Sequence, residues 1–223
     1  MCRPFSTPTC AGCRYCILFI HKYACDPSVW VLPGTTSTTC TSSYESFVAW
    51  DDSLGVEVKR VQCDIRRRKY DNKTFRPVLA ALGTTYESYP PHCYNENGVA
   101  KCMIQRITNI ARSMMIDSQP QLGFWTNSVS SAVYLNQGTP NEGWTKRNNH
   151  HGYKAPYSTP WKTLYSFSKC SHDIDRNKIS YKCPLHHLQW FGCYVSRLIP
   201  EPQCDRNCSP RSKPCMMVSY IND

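Results

Sequence analysis

The chain has 223 residues, with 26 Lys and Arg against 16 Asp and Glu, a net charge of +10. Hydrophobic residues at 41% and aromatics at 12% exclude a disordered tail or a collagen-like rod. Charged residues are only 19%, so the positive balance reflects scarce acids, and no apolar run approaches the ~20 residues of a membrane-spanning helix.

Residues 1–45 are rich in Cys, Thr, Ser and Pro. That composition predicts a stapled, loop-rich entry, with 46–223 forming a mainly β domain braced by disulfides. Inside the first segment, Cys16-Ile17-Leu18-Phe19-Ile20 is shorter than the apolar core of a signal peptide, so an exported chain would draw its leader from outside this stretch. Gly55 to Tyr70 reads as a strand: Val56 and Val58 alternate, and Val61, Cys63 and Ile65 resume one residue out of step, as a bulge produces. Its far end, Arg66-Arg67-Arg68-Lys69, is the densest positive cluster and a candidate patch for an anionic partner, against the plainer reading of a solvated strand end.

Between Asn97 and Asp117 the pattern changes to a helical one. Met103, Ile107, Ile110 and Met114 share a face, and Lys101, Arg106, Asn109 and Arg112 fall on the other side. The spacing predicts an amphipathic helix packed on a sheet and closed by Pro120. Further strands are expected at Ser131–Leu135, Thr163–Phe167, Ile179–Tyr181 and Gln189–Val195. The expected fold is therefore mainly β with one amphipathic helix (α+β), a disulfide-stapled, loop-rich single domain.

Fifteen cysteines are several times ordinary usage. Most stand far from the next, whereas zinc and iron–sulfur sites need ligands in close pairs, so the spacing favours an oxidising, extracellular setting. Cys25, Cys40, Cys63, Cys93, Cys102, Cys170, Cys183, Cys193, Cys204, Cys208 and Cys215 are the candidate disulfide partners, with one thiol left over by parity and connectivity open. Asn72-Lys73-Thr74 is a glycosylation acceptor. The run Cys10-x-x-Cys13-x-x-Cys16, with Cys25 further on, fits a metal cluster only in part; as an alternative it would hold zinc in an intracellular module that contacts nucleic acid or another acidic partner.

Hydrolytic and phosphate-binding signatures are lacking: there is no GxSxG elbow, no HExxH and no glycine-rich phosphate loop. The chain reads as no enzyme, with no cofactor other than the alternative zinc. The aromatics are not interleaved with basic residues as in an RNA-binding sheet, so no nucleic-acid partner is expected in the main reading.

Three stretches give a family resemblance. Asp26-Pro27-Ser28-Val29-Trp30-Val31-Leu32-Pro33-Gly34 with Cys40 after it, Ser131-Ala132-Val133-Tyr134-Leu135-Asn136, and Trp161-Lys162-Thr163-Leu164 followed by Cys183, Cys204, Cys208 and Cys215 resemble the surface subunit of betaretrovirus-like, including endogenous retroviral, envelope glycoproteins. They cover about a quarter of the chain. The resemblance implies a truncated, secreted or virion-surface glycoprotein that binds a host cell-surface receptor and does not span a membrane. The aromatic and basic content suits such docking, because Tyr, Trp and Arg dominate binding hot spots.

Overall fold

A computed structural model describes residues 5–9, 11–64, 74–89, 98–140, 159–166, 187–199 and 211–220. Strand β1 (Tyr15–His21) pairs antiparallel with β2 (Asp26–Leu32), Tyr15 opposite Leu32 and His21 opposite Asp26. Helix α1 (Ser37–Ser53) follows, then β3 (Arg60–Asp64), α2 (Phe75–Ala81) and β4 (Thr85–Tyr89), which lies parallel to β3. Helix α3 (Gly98–Ser118), a short turn of 3₁₀ helix, α4 (Trp125–Gly138) and α5 (Pro160–Ser166) come next, and β5 (Tyr194–Leu198) and β6 (Ser212–Met216) form a last antiparallel pair.

The fold is a mixed α/β arrangement of small sheets and several helices. The β1–β2 hairpin is the middle layer. Side chains of a strand alternate between faces, and here both faces are covered. Cys16, Leu18, Ile20, Val29 and Val31 pack with Met103, Ile107 and Ala111 of α3 and Trp125, Val129 and Val133 of α4. Ile17, Phe19, Trp30 and Leu32 pack with Cys40, Tyr44, Phe47 and Val48 of α1 and with Phe75 and Leu79 of α2. A strand buried on both faces reads as one continuous apolar run. This explains Cys16 to Ile20, which is a core strand rather than part of a loop-rich entry.

Helix α1 starts where Thr36 accepts a capping hydrogen bond from the Thr39 amide at 3.3 Å. Its serine and threonine hydroxyls fold back onto carbonyls four residues earlier, as Thr41 does to Ser37 at 2.8 Å.

The helix expected over 97–117 is α3, and its buried residues are the predicted Met103 and Ile107 together with Ala111. The bulged strand expected over 55–70 is shorter, since β3 spans only Arg60–Asp64 and residues 65–73 lie outside the described part. Ser131–Leu135 is not a strand. It is the inner face of α4, where Ser128, Ser131 and Ala132 have no exposed surface and small side chains let the helix lie close on β2. Thr163–Phe167 likewise falls largely in α5. Gln189–Val195 holds only the first residues of β5, and Ile179–Tyr181 lies outside the described residues.

The disulfide-stapled description finds no support among the described residues. No two described cysteines are joined to each other. Cys40 is fully buried under Tyr44 in α1, and Cys16 and Cys25 sit in the apolar cluster beneath α3 and α4. In those places cysteine acts as a small hydrophobe. Cys193 and Cys215 belong to one hairpin but not to one pair, because Cys215 stands opposite Val195. Cys102 is exposed on α3, and Cys63 lies 3.3 Å from the Tyr86 hydroxyl. Cys10, Cys93, Cys170, Cys183, Cys204 and Cys208 lie outside the described residues, as do Asn72 and the Arg66–Lys69 cluster.

Candidate functional site

The β1–β2 turn places three titratable groups side by side. Cys25 takes a left-handed backbone conformation (φ 53°), and the chain then re-enters β2 at Asp26. His21 and Asp26 are cross-strand partners, and the His21 Nε2 lies 3.1 Å from Oδ1 of Asp51, on α1. Asp26 and Asp51 both have 0% exposed surface. The Gln137 amide of α4 donates to Oδ2 of Asp26 at 3.4 Å and to the Pro27 carbonyl at 3.0 Å.

Burial dominates the electrostatics. It pushes the Asp26 carboxyl from its ordinary 3.8 up to about 7, against the opposing pull of His21 and the Gln137 hydrogen bond. Asp51 is raised for the same reason, with His21 again opposing. These two acids are internal groups held by neighbours in the fold. They are poor hosts for an incoming cation.

Above them a groove of about 590 Å³ runs between β1 and β3. Leu18 to Ala24 line one wall and Val56 to Gln62 the other, with Phe47 between them and the first turn of α3 at one end. Lys22, Lys59 and Arg60 are exposed along its rim. Arg60 pairs with Glu87 at 3.1 Å and Lys59 with Glu57 at 3.8 Å. Lys101 and Arg112 are exposed on the outward face of α3, opposite the buried Met103 and Ile107, and the half-buried Arg106 flanks them. A basic surface thus borders an apolar groove.

Of the alternative zinc ligands, Cys16 and Cys25 point into the apolar cluster, Cys13 is half-exposed, and Cys10 lies outside the described residues. Among the described residues no three His, Cys, Asp or Glu side chains gather where a metal ion could be held. No described helix is long and apolar enough to cross a membrane, in agreement with the sequence.

His21, Asp51 and Gln137 were not visible as a group in the sequence, being 30 and 111 residues from their partners. The only local hint was an Asp at the first position of a strand, followed by Pro27 and Ser28, all three buried.

No family model matches the chain. It is 24% identical over 221 residues, 99% of its length, to a protein of Nicotiana tabacum described as the retrovirus-related Pol polyprotein from transposon TNT 1-94. The chain spans about 14% of that polyprotein.

This similarity overturns the envelope resemblance and the receptor-binding role that went with it. The similarity to a Pol polyprotein takes in nearly the whole of this chain, whereas the envelope-like stretches cover a quarter. Two of those stretches also adopt different structures from those expected: Ser131 to Asn136 is helical, and so is Trp161 to Leu164. The description as a viral envelope surface subunit falls with them.

Proposed function

We propose that this chain is a segment of a transposon Pol-type polyprotein, and that it contacts nucleic acid through the outward face of α3 and the rim of the β1–β3 groove without itself carrying out chemistry. The similarity over 221 residues to a Pol polyprotein carries the reading. The net charge of +10 supports it, as does the placement of Lys101 and Arg112 on the exposed side of a single helix, with the half-buried Arg106 on its flank. Basic side chains lined up on a rigid element neutralise successive phosphates and release counterions. This reverses the expectation of no nucleic-acid partner, which rested on missing aromatic–basic interleaving. Charge-driven contact with the phosphate backbone does not require that pattern.

The non-catalytic part of the proposal rests on how the acids are used. Asp26 and Asp51 are enclosed and held towards the neutral form, and Glu87 is engaged by Arg60 and by Gln62 at 2.7 Å. Metal-assisted phosphoryl chemistry needs ionised carboxylates open to a bound cation.

Fluorescence anisotropy with a labelled DNA duplex and a labelled RNA tests both parts. Three phosphate contacts predict an affinity that falls about 40-fold between 50 and 200 mM salt. Replacing Lys101, Arg106 and Arg112 with Gln should remove most of that dependence. Binding that ignores salt, or survives the triple change intact, would refute the interface. Strand cleavage of either substrate with magnesium or manganese, lost in Asp26→Asn or Asp51→Asn, would refute the non-catalytic part.

A further inference from the structure

We infer that the cavity at the C-terminal end of α3 binds a small organic monocation, an alkylated ammonium group carried on an apolar body. The inference goes beyond the nucleic-acid reading and does not depend on it.

The cavity measures about 750 Å³, within the range of small-molecule sites. Parts far apart in sequence build it: the last turns of α3, Leu135 of α4, the turn from Leu188 to Phe191, and Tyr220 beyond β6. These walls are pinned to one another. Gly192 has φ 82°, and a Cβ there would lie 2.1 Å from the Ser118 Cβ of α3, so only glycine lets the turn lie so close. The Gly192 amide donates to the Met217 carbonyl at 2.7 Å, and the Tyr220 hydroxyl donates to the Gln189 carbonyl. The Tyr220 ring stacks on Tyr134 of α4, whose hydroxyl lies 2.7 Å from Nε2 of His187. The opening is therefore built into the fold rather than made by a ligand.

Its lining defines the ligand. Trp190, Phe191 and Tyr220 offer aromatic surface, Ser113 and Gln189 are neutral, and Asp117 is the one charged side chain among the described residues that line it. Asp117 is exposed and forms no ion pair among the described residues. It stands in the last turn of α3, which carries no basic residue, just before Gln119 turns the chain away with φ 46°. The helix dipole puts partial negative charge at that end, so carboxylate and dipole act together in calling for a cation. Aromatic faces attract the same group, and Trp190, 80% exposed, leaves its ring open to one. The aliphatic remainder of the lining, Met114 and Leu135 included, needs an apolar body beside the charge. Size and charge also choose between sources. A chain of net charge +10, with Lys101 and Arg112 exposed on the same helix, repels a polycationic partner, which favours a small monocation over a basic polypeptide.

Ligand-observed proton NMR on the full chain, with phenyltrimethylammonium and its neutral isostere tert-butylbenzene, tests this. The cation should bind saturably, and the isostere at least fivefold more weakly. Trp190→Leu keeps apolar surface but removes the ring, and should weaken the cation about fivefold. Asp117→Asn should weaken it about threefold and remove its salt dependence. Neither change should weaken the isostere as much. Both side chains are exposed, and circular dichroism of each variant keeps a folding defect distinct from a binding defect.

Equal binding of cation and isostere, or no binding of the cation by the natively folded chain, overturns the proposal. Cation binding unchanged in both variants overturns the cavity as its site. Tighter binding of a basic peptide carrying trimethyl-lysine than of phenyltrimethylammonium overturns the choice of a small ligand.

Discussion

On one side of the β1–β2 hairpin, Phe19 and Trp30 meet Phe47, Phe19 meets Tyr44 and Tyr44 meets Phe75, with ring centroids 4.7 to 5.9 Å apart. On the other side α4 presses Ser128, Ser131, Asn136 and Gln137 towards β2, over a fully buried Asp26. The first face gains its cohesion from apolar area and aromatic geometry, which are non-directional and additive. The second gains close approach from small side chains, and then has to satisfy polar groups with no water nearby. It does so incompletely: Asp26 Oδ1, Ser131 Oγ and both polar atoms of the Asn136 amide have no hydrogen-bond partner among the described residues, against two such atoms on α1, the Tyr44 hydroxyl and Asp51 Oδ2. One hairpin thus has a face that stabilises strongly and a face that is costly and sensitive to its surroundings.

The largest effect should come from the aromatic side. Phe47 is 5% exposed and touches the rings of Phe19, His21, Trp30 and Tyr44. Phe47→Ala should cost about 3–5 kcal/mol, read as a lower urea midpoint at constant slope. A loss below about 1 kcal/mol would mean that the two faces contribute alike, and the contrast would collapse.

Next in size is a pH effect confined to the polar side. The folded-state pKa of Asp26 is raised from 3.8 to about 7, so the folded chain keeps a proton that the unfolded chain releases. Between about pH 4 and pH 7 the folded state binds more protons, and stability falls as pH rises through that window. The shift of roughly three units bounds the loss at about 4 kcal/mol, and penetration of water would reduce it. Asp26→Asn should flatten the slope over that range while leaving the aromatic side untouched. An unchanged slope would show that Asp26 is not the group responsible.

How much of this was legible follows the same division. Helix α3 could be read because its stripe at Met103, Ile107 and Ile110 faces a polar side, which gives a period to detect. Strand β1 could not, since burial on both faces erases the alternation and leaves Cys16 to Ile20 looking like a fragment of a leader. Helix α4 was hidden for a related reason. Ser131-Ala132-Val133-Tyr134-Leu135 has strand-like side chains in a short window, and only packing against β2 reveals that Ser128, Ser131 and Ala132 share a helical face. The cysteines misled by number: a count favours disulfides, but Cys16, Cys25 and Cys40 fill apolar space. The polar cluster was beyond any local pattern, because His21, Asp51, Asp26 and Gln137 meet only once four elements have packed.

The smallest effect is the sharpest test of the comparison, because its sign is opposite to that of ordinary core mutations. Asn136 is 2% exposed and its amide is unpartnered on both atoms among the described residues. Burying such a group without hydrogen bonds costs about 1–3 kcal/mol. Leu has a similar size and a better helix propensity, so Asn136→Leu in the last turn of α4 should raise stability by about 1 kcal/mol. If urea unfolding instead shows Asn136→Leu to be destabilising by more than about 1 kcal/mol, the amide is engaged in the folded chain. The α4 side would then be a satisfied polar network, and Asp26 would have to be read as its anchor rather than as a group held at a cost.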